Sequence, residues 1–398
     1  VAGTGRGTER GRRHDRVVGV DVARCAALLG MVATHVLDER APTGELTLAH
    51  EVAGGRASAL FAVLAGVSLA LLTGGPRPVV GRERAARSAG LVVRALLVAL
   101  IGLLLGMLDT GIAVILTYYG VVFLLALPFL GLRTRSLLVA AGAWAVLAPL
   151  ASHLLRPSLP PRGYASPTLE QLADPGQLLS ELLWTGYYPA VPWLSYALLG
   201  LAVGRLDLRS WRAVGTLVAG GAVLAGLAHA VSGWLTAQPG VLRALLRDPS
   251  YAAPDGPTLE QELASGMFGT TPTGGPVQWL LVDAPHSATP FDLAATGGTA
   301  LLVLGLALVV DRLPGAVRRA AAVLFGAGAA TLTLYSLHLV MKTPDVPPAE
   351  VPGSFATHVG VLLAVGAVLA LSGQSGLLER VVTAASRGTA ALVRGRGR

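Results

Sequence analysis

Ten stretches of predominantly apolar residues constrain this chain more than any other feature. They run approximately 17–37, 57–73, 89–108, 111–130, 136–155, 187–204, 213–234, 291–310, 320–341 and 355–372. About 20 apolar residues in a helix cross the hydrocarbon of a bilayer, where only helices and closed barrels satisfy every backbone group. Runs this long and leucine-rich lack the alternation of barrel strands. The expected fold is therefore an all-α polytopic integral membrane protein of ten transmembrane helices. A further apolar element, Leu178 to Trp184, would make eleven but is too short to cross. Composition agrees: 14% of residues are charged, against about 25% for a chain whose exterior must be hydrated.

The net charge of +8 suggests nucleic acid only until the basic residues are placed among the connections. With the N-terminus cytoplasmic, 22 of the 31 Lys and Arg fall in inner segments and seven in outer ones, with Arg24 and Arg94 inside spans. Acidic residues concentrate on the outer side, among them Asp38, Glu39, Glu181, Asp255, Asp283, Asp345 and Glu350. This is the positive-inside pattern, and it predicts both termini in the cytoplasm, a bilayer as partner and no nucleic acid. The organisation that follows is a basic tail over 1–16, a transmembrane domain over 17–372 with long outer loops at 156–186 and 235–290, and a second basic tail over 373–398.

The first span follows an arginine-rich segment, as the core of a signal peptide does. It is longer than such a core, contains Asp21 and Arg24, and is followed by no A-x-A site, so it reads as a helix of the mature protein. In each long outer loop a Thr precedes a Gln by three residues: Thr168 with Gln171, and Thr258 with Gln261. That spacing is a capping-box signature and predicts surface helices over the outer mouth. The Pro and Gly residues between Thr270 and Pro290 predict a folded-back loop rather than a linker. The glycine pairs Gly102 and Gly106, and Gly200 and Gly204, predict close helix contacts. With Cys25 as the sole cysteine, no disulfide framework is expected, and no zinc site.

Ionisable residues within spans are costly unless paired or hydrated. The first span carries Asp21, Arg24 and His35. Eleven residues from Arg24 to His35 make about three turns, so both share one face about 16 Å apart along the axis, with Asp21 a turn below Arg24. Arg94, in the third span, sits at a similar depth, so two cations share one acid. That excess either belongs to a packed ion pair or receives an anion such as a phosphate-bearing ligand from the cytoplasm. Seven of the eight histidines fall toward the outer side. His153, His229 and His358 read as interfacial. His35, His50, His286 and His338 sit among polar or turn-forming neighbours where a cleft can form, and imidazole suits proton transfer near neutral pH.

The stretch Arg16-Val-Val-Gly-Val-Asp21-Val-Ala-Arg24-Cys25 resembles the opening signature of membrane-bound acyltransferases, a group that includes the heparan-alpha-glucosaminide N-acetyltransferase family, the YeiB-like proteins and the acyltransferase-3 family. Val20 stands where Leu is usual and Cys25 where Gly is usual. Arg24 and His35 are similar to the Arg-x10-His motif of acyltransferase-3 enzymes. Residues Gly55 to Gly66 resemble the second-span motif of the heparan acetyltransferase family, with Ser58 in place of its Asp, and His50 precedes this span much as that family's active-site His does. Tyr187 to Arg205, Pro285 to Pro290 and Leu332 to His338 are similar to further segments of such proteins, as is Gly376 to Arg380 to the end of YeiB-like chains.

The resemblance implies transfer of an acyl group from cytoplasmic acyl-CoA, a co-substrate rather than a bound cofactor, to a hydroxyl or amine of an extracytoplasmic sugar, glycolipid or envelope glycan. Asp21, Arg24 and Arg94 are then expected to hold the CoA moiety, and His35 or His50 to act as base or transient acyl carrier. Arg56, Tyr188, Trp193, His286 and His338 are expected on the acceptor side. The expected location is a bacterial plasma membrane, with a homodimer among the expected assemblies. A transporter or flippase for an envelope precursor remains the alternative, since intramembrane charges serve it as well.

Overall fold

The computed structural model describes residues 17–163, 166–248, 258–344, 346 and 354–395. The tail over 1–16, with Arg16 and His14, lies outside the described residues, as do Asp255, Asp345 and Glu350. The described residues form helices α1 (Val18–Val36), α2 (Leu48–Ala53), α3 (Arg56–Leu72), α4 (Gly81–Leu105), α5 (Leu116–Ala126), α6 (Thr134–Leu155), α7 (Pro175–Ser180), α8 (Ala190–Gly204), α9 (Trp211–Thr236), α10 (Pro239–Leu246), α11 (Leu259–Ser265), α12 (Pro290–Ala307), α13 (Gly315–Leu324), α14 (Thr331–Met341), α15 (Ser354–Ser372) and α16 (Leu377–Gly395). There is no strand among them. Seven helices are long and apolar enough to cross a membrane, and the apolar helices Leu116–Gly131, Ala190–Gly204 and Thr331–Met341 are shorter. Each of the ten apolar stretches thus contains a helix, although three are shorter than a full crossing.

The centre of the bundle is α8 against α3. A Cβ on Gly200 would lie 1.9 Å from the Val63 carbonyl oxygen, and one on Gly66 would lie 2.2 Å from that of Ala197. Backbones this close leave no room for any side chain, so these glycines set the interhelical distance. A Cβ on Gly102 would likewise lie 2.3 Å from Thr117 N at the start of α5, and one on Gly106 would lie 2.1 Å from the loop carbonyl oxygen of Pro167.

Two carboxylates cap helices remote in sequence. Asp311 accepts from the backbone of Val18 and Gly19, both at 2.8 Å, at the first turn of α1. Glu379 accepts from the backbone of Leu332 at 2.7 Å and Thr333 at 3.2 Å. Free N–H groups at a helix start favour an anion, so each contact fixes the entry of a site-bearing helix. Glu379 belongs to α16, within the segment whose composition reads as a basic tail. That segment is an amphipathic helix laid along α4, tied by Arg94 to Thr383 and by Arg394 to Glu83, twice at 2.7 Å.

Arg205, counted by sequence among the orientation-setting arginines, is 5% exposed. Its guanidinium donates to the carbonyls of Ala70 (3.0 Å), Gly75 (2.8 Å) and Leu130 (2.6 Å) and to Thr73 Oγ1 (3.0 Å). It closes the end of α3 onto the turn after α5. Each buried acceptor left unpaired costs about 1–3 kcal/mol, so Arg205→Ala is expected to destabilise the protein by roughly 3 kcal/mol or more. Thermal unfolding in detergent measures this, and an unchanged transition temperature contradicts it.

Candidate active site: two cavities at opposite ends of the bundle

The two connections expected over the mouth fold over it. Thr168 and Gln171 form a capping box, as do Thr258 and Gln261, whose reciprocal contacts measure 2.9 and 3.2 Å. Arg156, 3% exposed, donates from the first connection to the carbonyl and hydroxyl of Thr271 in the second, at 2.6 and 2.8 Å. The segment 270–290 folds back as expected, with Trp279 fully buried at the centre of a small second core.

Beneath this roof lies a cavity of about 740 Å³. His35, from the end of α1, and His50, from α2, are on its wall with His286, Glu39 and Ser58. Tyr118, Tyr187, Tyr188, Phe268 and Arg162 complete a wall rich in aromatic rings. The His286 ring packs 4.9 Å from Tyr187 and 5.7 Å from Tyr188. Burial pushes its pKa down to about 4, so the ring is uncharged at neutral pH. His50 Nδ1 is 3.3 Å from the Thr47 hydroxyl. His35 Nδ1 is 3.1 Å from His338 Nε2, which leaves its Nε2 for the cavity.

A second cavity of about 340 Å³ opens toward the other end of the same helices. Arg24 and Arg94 line it with Ser68, Glu379, Tyr119, Phe61 and Phe123. Arg24 donates to Asp21 at 3.1 Å, as the one-turn spacing predicts, and to Ser68 Oγ at 2.6 Å. The sequence expectation that Arg94 shares Asp21 needs revision. Arg94 donates to Thr383 Oγ1 at 3.2 Å, and the carboxylate lining its cavity is Glu379, already engaged as a helix cap. Two guanidiniums therefore line the arginine cavity, one paired with Asp21 and the other beside a carboxylate already bound to backbone N–H groups.

The partition between the cavities is thin in sequence. Tyr118 faces the histidine cavity and Tyr119 the arginine cavity. Tyr119 donates to the Ser58 carbonyl at 3.1 Å and stacks between Phe61 and Phe123, at 5.8 and 6.3 Å. Along α3, Ser58 on one wall and Ser68 on the other are about 15 Å apart at the helical rise.

Three of the sequence-selected residues do not line the histidine cavity. Trp193 sits behind Tyr188, with ring centroids 5.0 Å apart. Arg56 turns back to the Glu51 carbonyl, at 2.5 Å. His338, fully buried, is bonded on both sides by His35 and His358. His358 is a correction as well: it is 1% exposed, not interfacial, because α15 packs this face inward. The sequence reading passed over Tyr118, Tyr119, Tyr187 and Phe268. A clue was available, since aromatic residues make up only 5% of the chain and two of them are adjacent in one span.

Residues 16–239 match the family model described as heparan-alpha-glucosaminide N-acetyltransferase, catalytic. The matched region contains Asp21, Arg24, His35, His50, Arg94, Tyr118, Tyr119 and Tyr188, and ends before His286 and α16. No curated protein matches the chain.

Proposed function

Because the chain belongs to the heparan-alpha-glucosaminide N-acetyltransferase catalytic family, we propose that it carries an acetyl group from acetyl-CoA at the arginine cavity to an amine or hydroxyl in the histidine cavity. The observation that carries this reading is the pair of cavities at opposite ends of α1 and α3, one lined by guanidiniums and one by imidazoles. With the arginine-rich connections cytoplasmic, the chain crosses ten times with both termini inside. The arginine cavity, bounded by Leu72, Gly328 to Leu332 and Glu379, then lies on the cytoplasmic side. The histidine cavity, bounded by Glu39, His50, Thr110 to Val114 and the two roofing connections, lies on the other. The acceptor is accordingly an extracytoplasmic sugar, glycolipid or cell-envelope glycan, and the bilayer a bacterial plasma membrane.

Arg24, oriented by Asp21 and Ser68, and Arg94, oriented by Thr383, pair with CoA phosphates by charge-assisted hydrogen bonds. The thioester arm extends along Phe61 and Leu64 to the Tyr119–Ser58 partition. Across that partition His35 Nε2 takes the proton of the acceptor as general base, with His50 on the same wall. The aromatic bed of Tyr187, Tyr188 and Phe268 receives the acceptor ring.

In inside-out vesicles loaded with glucosamine, the wild type is expected to move label from acetyl-CoA to the trapped amine. A hydrogen bond to a charged group contributes about 1.5–3 kcal/mol, so Arg24→Ala and Arg94→Ala are each expected to raise KM for acetyl-CoA roughly tenfold or more. Unchanged KM in both places the donor elsewhere. Absence of transfer by the wild type to glucosamine and to any envelope glycan fraction overturns the reading and favours transport.

A further inference from the structure

His35 is the first of three imidazoles in series. His35 Nδ1 lies 3.1 Å from His338 Nε2, with the rings within 7° of coplanar, and His338 Nδ1 lies 3.0 Å from His358 Nδ1. The rings come from α1, α14 and α15. Only His35 reaches the cavity, whereas His338 and His358 are buried.

A neutral imidazole has one N–H and one lone pair. Both nitrogens of His338 are engaged, so it donates to one neighbour and accepts from the other, and the series acquires a direction. Two arrangements of three neutral rings satisfy both contacts. In the first, His358 donates to His338, His338 donates to His35, and His35 presents Nε2–H to the cavity. In the second, His35 donates to His338, His338 donates to His358, and His35 turns a bare Nε2 lone pair to the cavity. The second arrangement is a base ready for use.

We propose that His35, His338 and His358 form a proton relay that moves the proton taken from the acceptor away from the cavity to His358, a step that rests on the acetyl-transfer reading. As the acceptor O–H or N–H bond breaks, its proton joins His35 Nε2. The Nδ1–H of His35 passes to His338 Nε2, and the Nδ1–H of His338 passes to His358 Nδ1. His35 and His338 end neutral, and His358 ends as the imidazolium. The electron pair left on the acceptor forms the bond to the acetyl carbon as the C–S bond breaks, and the reverse shift returns the proton through His35 to the departing thiolate. His338 and His358 are positioning residues in this scheme, and His35 touches the substrate.

The charged and titratable groups facing the series are His50 and His286 across the cavity and Lys342 one turn beyond His338. The Lys342 charge opposes a lasting imidazolium at His358, so the proton is held there only until the thiolate forms.

The test uses the full chain labelled with 15N-histidine in lipid nanodiscs, where ring nitrogen shifts report tautomers. His358→Ala is expected to change the tautomer balance of His35, with His338 between them. His358→Asn keeps an amide near the Nδ1 position, is expected to keep the wild-type unfolding temperature and cannot accept the proton. In acetyl transfer, His358→Asn is expected to lower kcat roughly tenfold, a fraction of what a direct general base contributes, to leave KM for acetyl-CoA unchanged and to displace the acid limb of the pH–rate profile. Unchanged His35 shifts in both variants overturn the relay, as does an unchanged kcat and pH profile in His358→Asn. If the wild type transfers no acetyl group, the proposed function fails and the nitrogen spectra still decide the relay.

Discussion

His35→Ala is expected to abolish measurable acetyl transfer, with a loss of at least about a hundredfold, while acetyl-CoA still binds. A positioned general base contributes about 10²–10⁴ in rate, and His35 is held as such a base must be. One nitrogen is fixed by His338 at 3.1 Å, and the other remains for the cavity. The proposed donor site, where Arg24 meets Asp21 and Ser68, lies about three helical turns away and does not involve the imidazole. The expected signature is therefore a collapse of kcat without a rise in KM for acetyl-CoA, measured in the same vesicles. His50 provides the comparison. Among the described residues its ring has one hydrogen-bond partner, a threonine hydroxyl at 3.3 Å, so it is less firmly oriented, and His50→Ala is expected to cost less. Transfer retained in His35→Ala and lost in His50→Ala moves the base to α2 and overturns the assignment.

The second large effect concerns the fold. Gly200→Leu is expected to leave little folded, monodisperse protein. A Cβ at this position would fall 1.9 Å from the Val63 carbonyl oxygen and 3.0 Å from the Gly66 Cα, so α8 and α3 must separate before any further side-chain atom is accommodated. Overpacking in a well-packed interior costs about 1–3 kcal/mol, and a backbone clash has no flexible atom to yield. The lost contact lies at the centre of the bundle and between the cavities, since α3 carries both Ser58 and Ser68. Gly220→Ala on α9 is the matched control, because a Cβ there meets nothing within 4 Å. Size-exclusion chromatography of both variants decides the matter. A monodisperse Gly200→Leu protein with the wild-type unfolding temperature shows that the close approach is not required.

The parts of the site readable along the chain are those built by neighbours in sequence. Asp21 and Arg24 are three residues apart on one helix, and the ion pair follows from that spacing. The capping boxes at Thr168 and Thr258 are likewise local. The placement of Arg24 and His35 toward opposite cavities follows from three turns of one helix. Contacts between distant segments had no such signal. Arg94 meets Thr383 and α1 is capped by Asp311 through separations of nearly 300 residues. His338, expected beside the acceptor, is instead a buried link between His35 and His358. Its own neighbours, Tyr335 and Ser336, suggested a polar cleft because sequence shows which groups adjoin a residue and not which helix covers it. The segment after 373 shows the same limit: its arginines suggested a solvated tail, yet one face of it supplies both the cap of α14 and the partner of α4.

Sequence alone determined that the chain is a bundle of apolar helices, because the length and hydrophobicity of a helix in lipid are properties of one contiguous segment. It also determined that Asp21, Arg24, Arg94 and His35 are ionisable groups within apolar runs, because a polar group inside such a run is conspicuous wherever the run packs. Tertiary structure alone decided that Arg24 and Arg94 line one cavity and His35 and His50 another, on either side of Tyr118 and Tyr119, that glycine contacts bring α8 onto α3, and that three histidines from three helices make one hydrogen-bonded series. Those features depend on the relative placement of helices, which is set by surface complementarity across the bundle and leaves no periodic trace in any one of them.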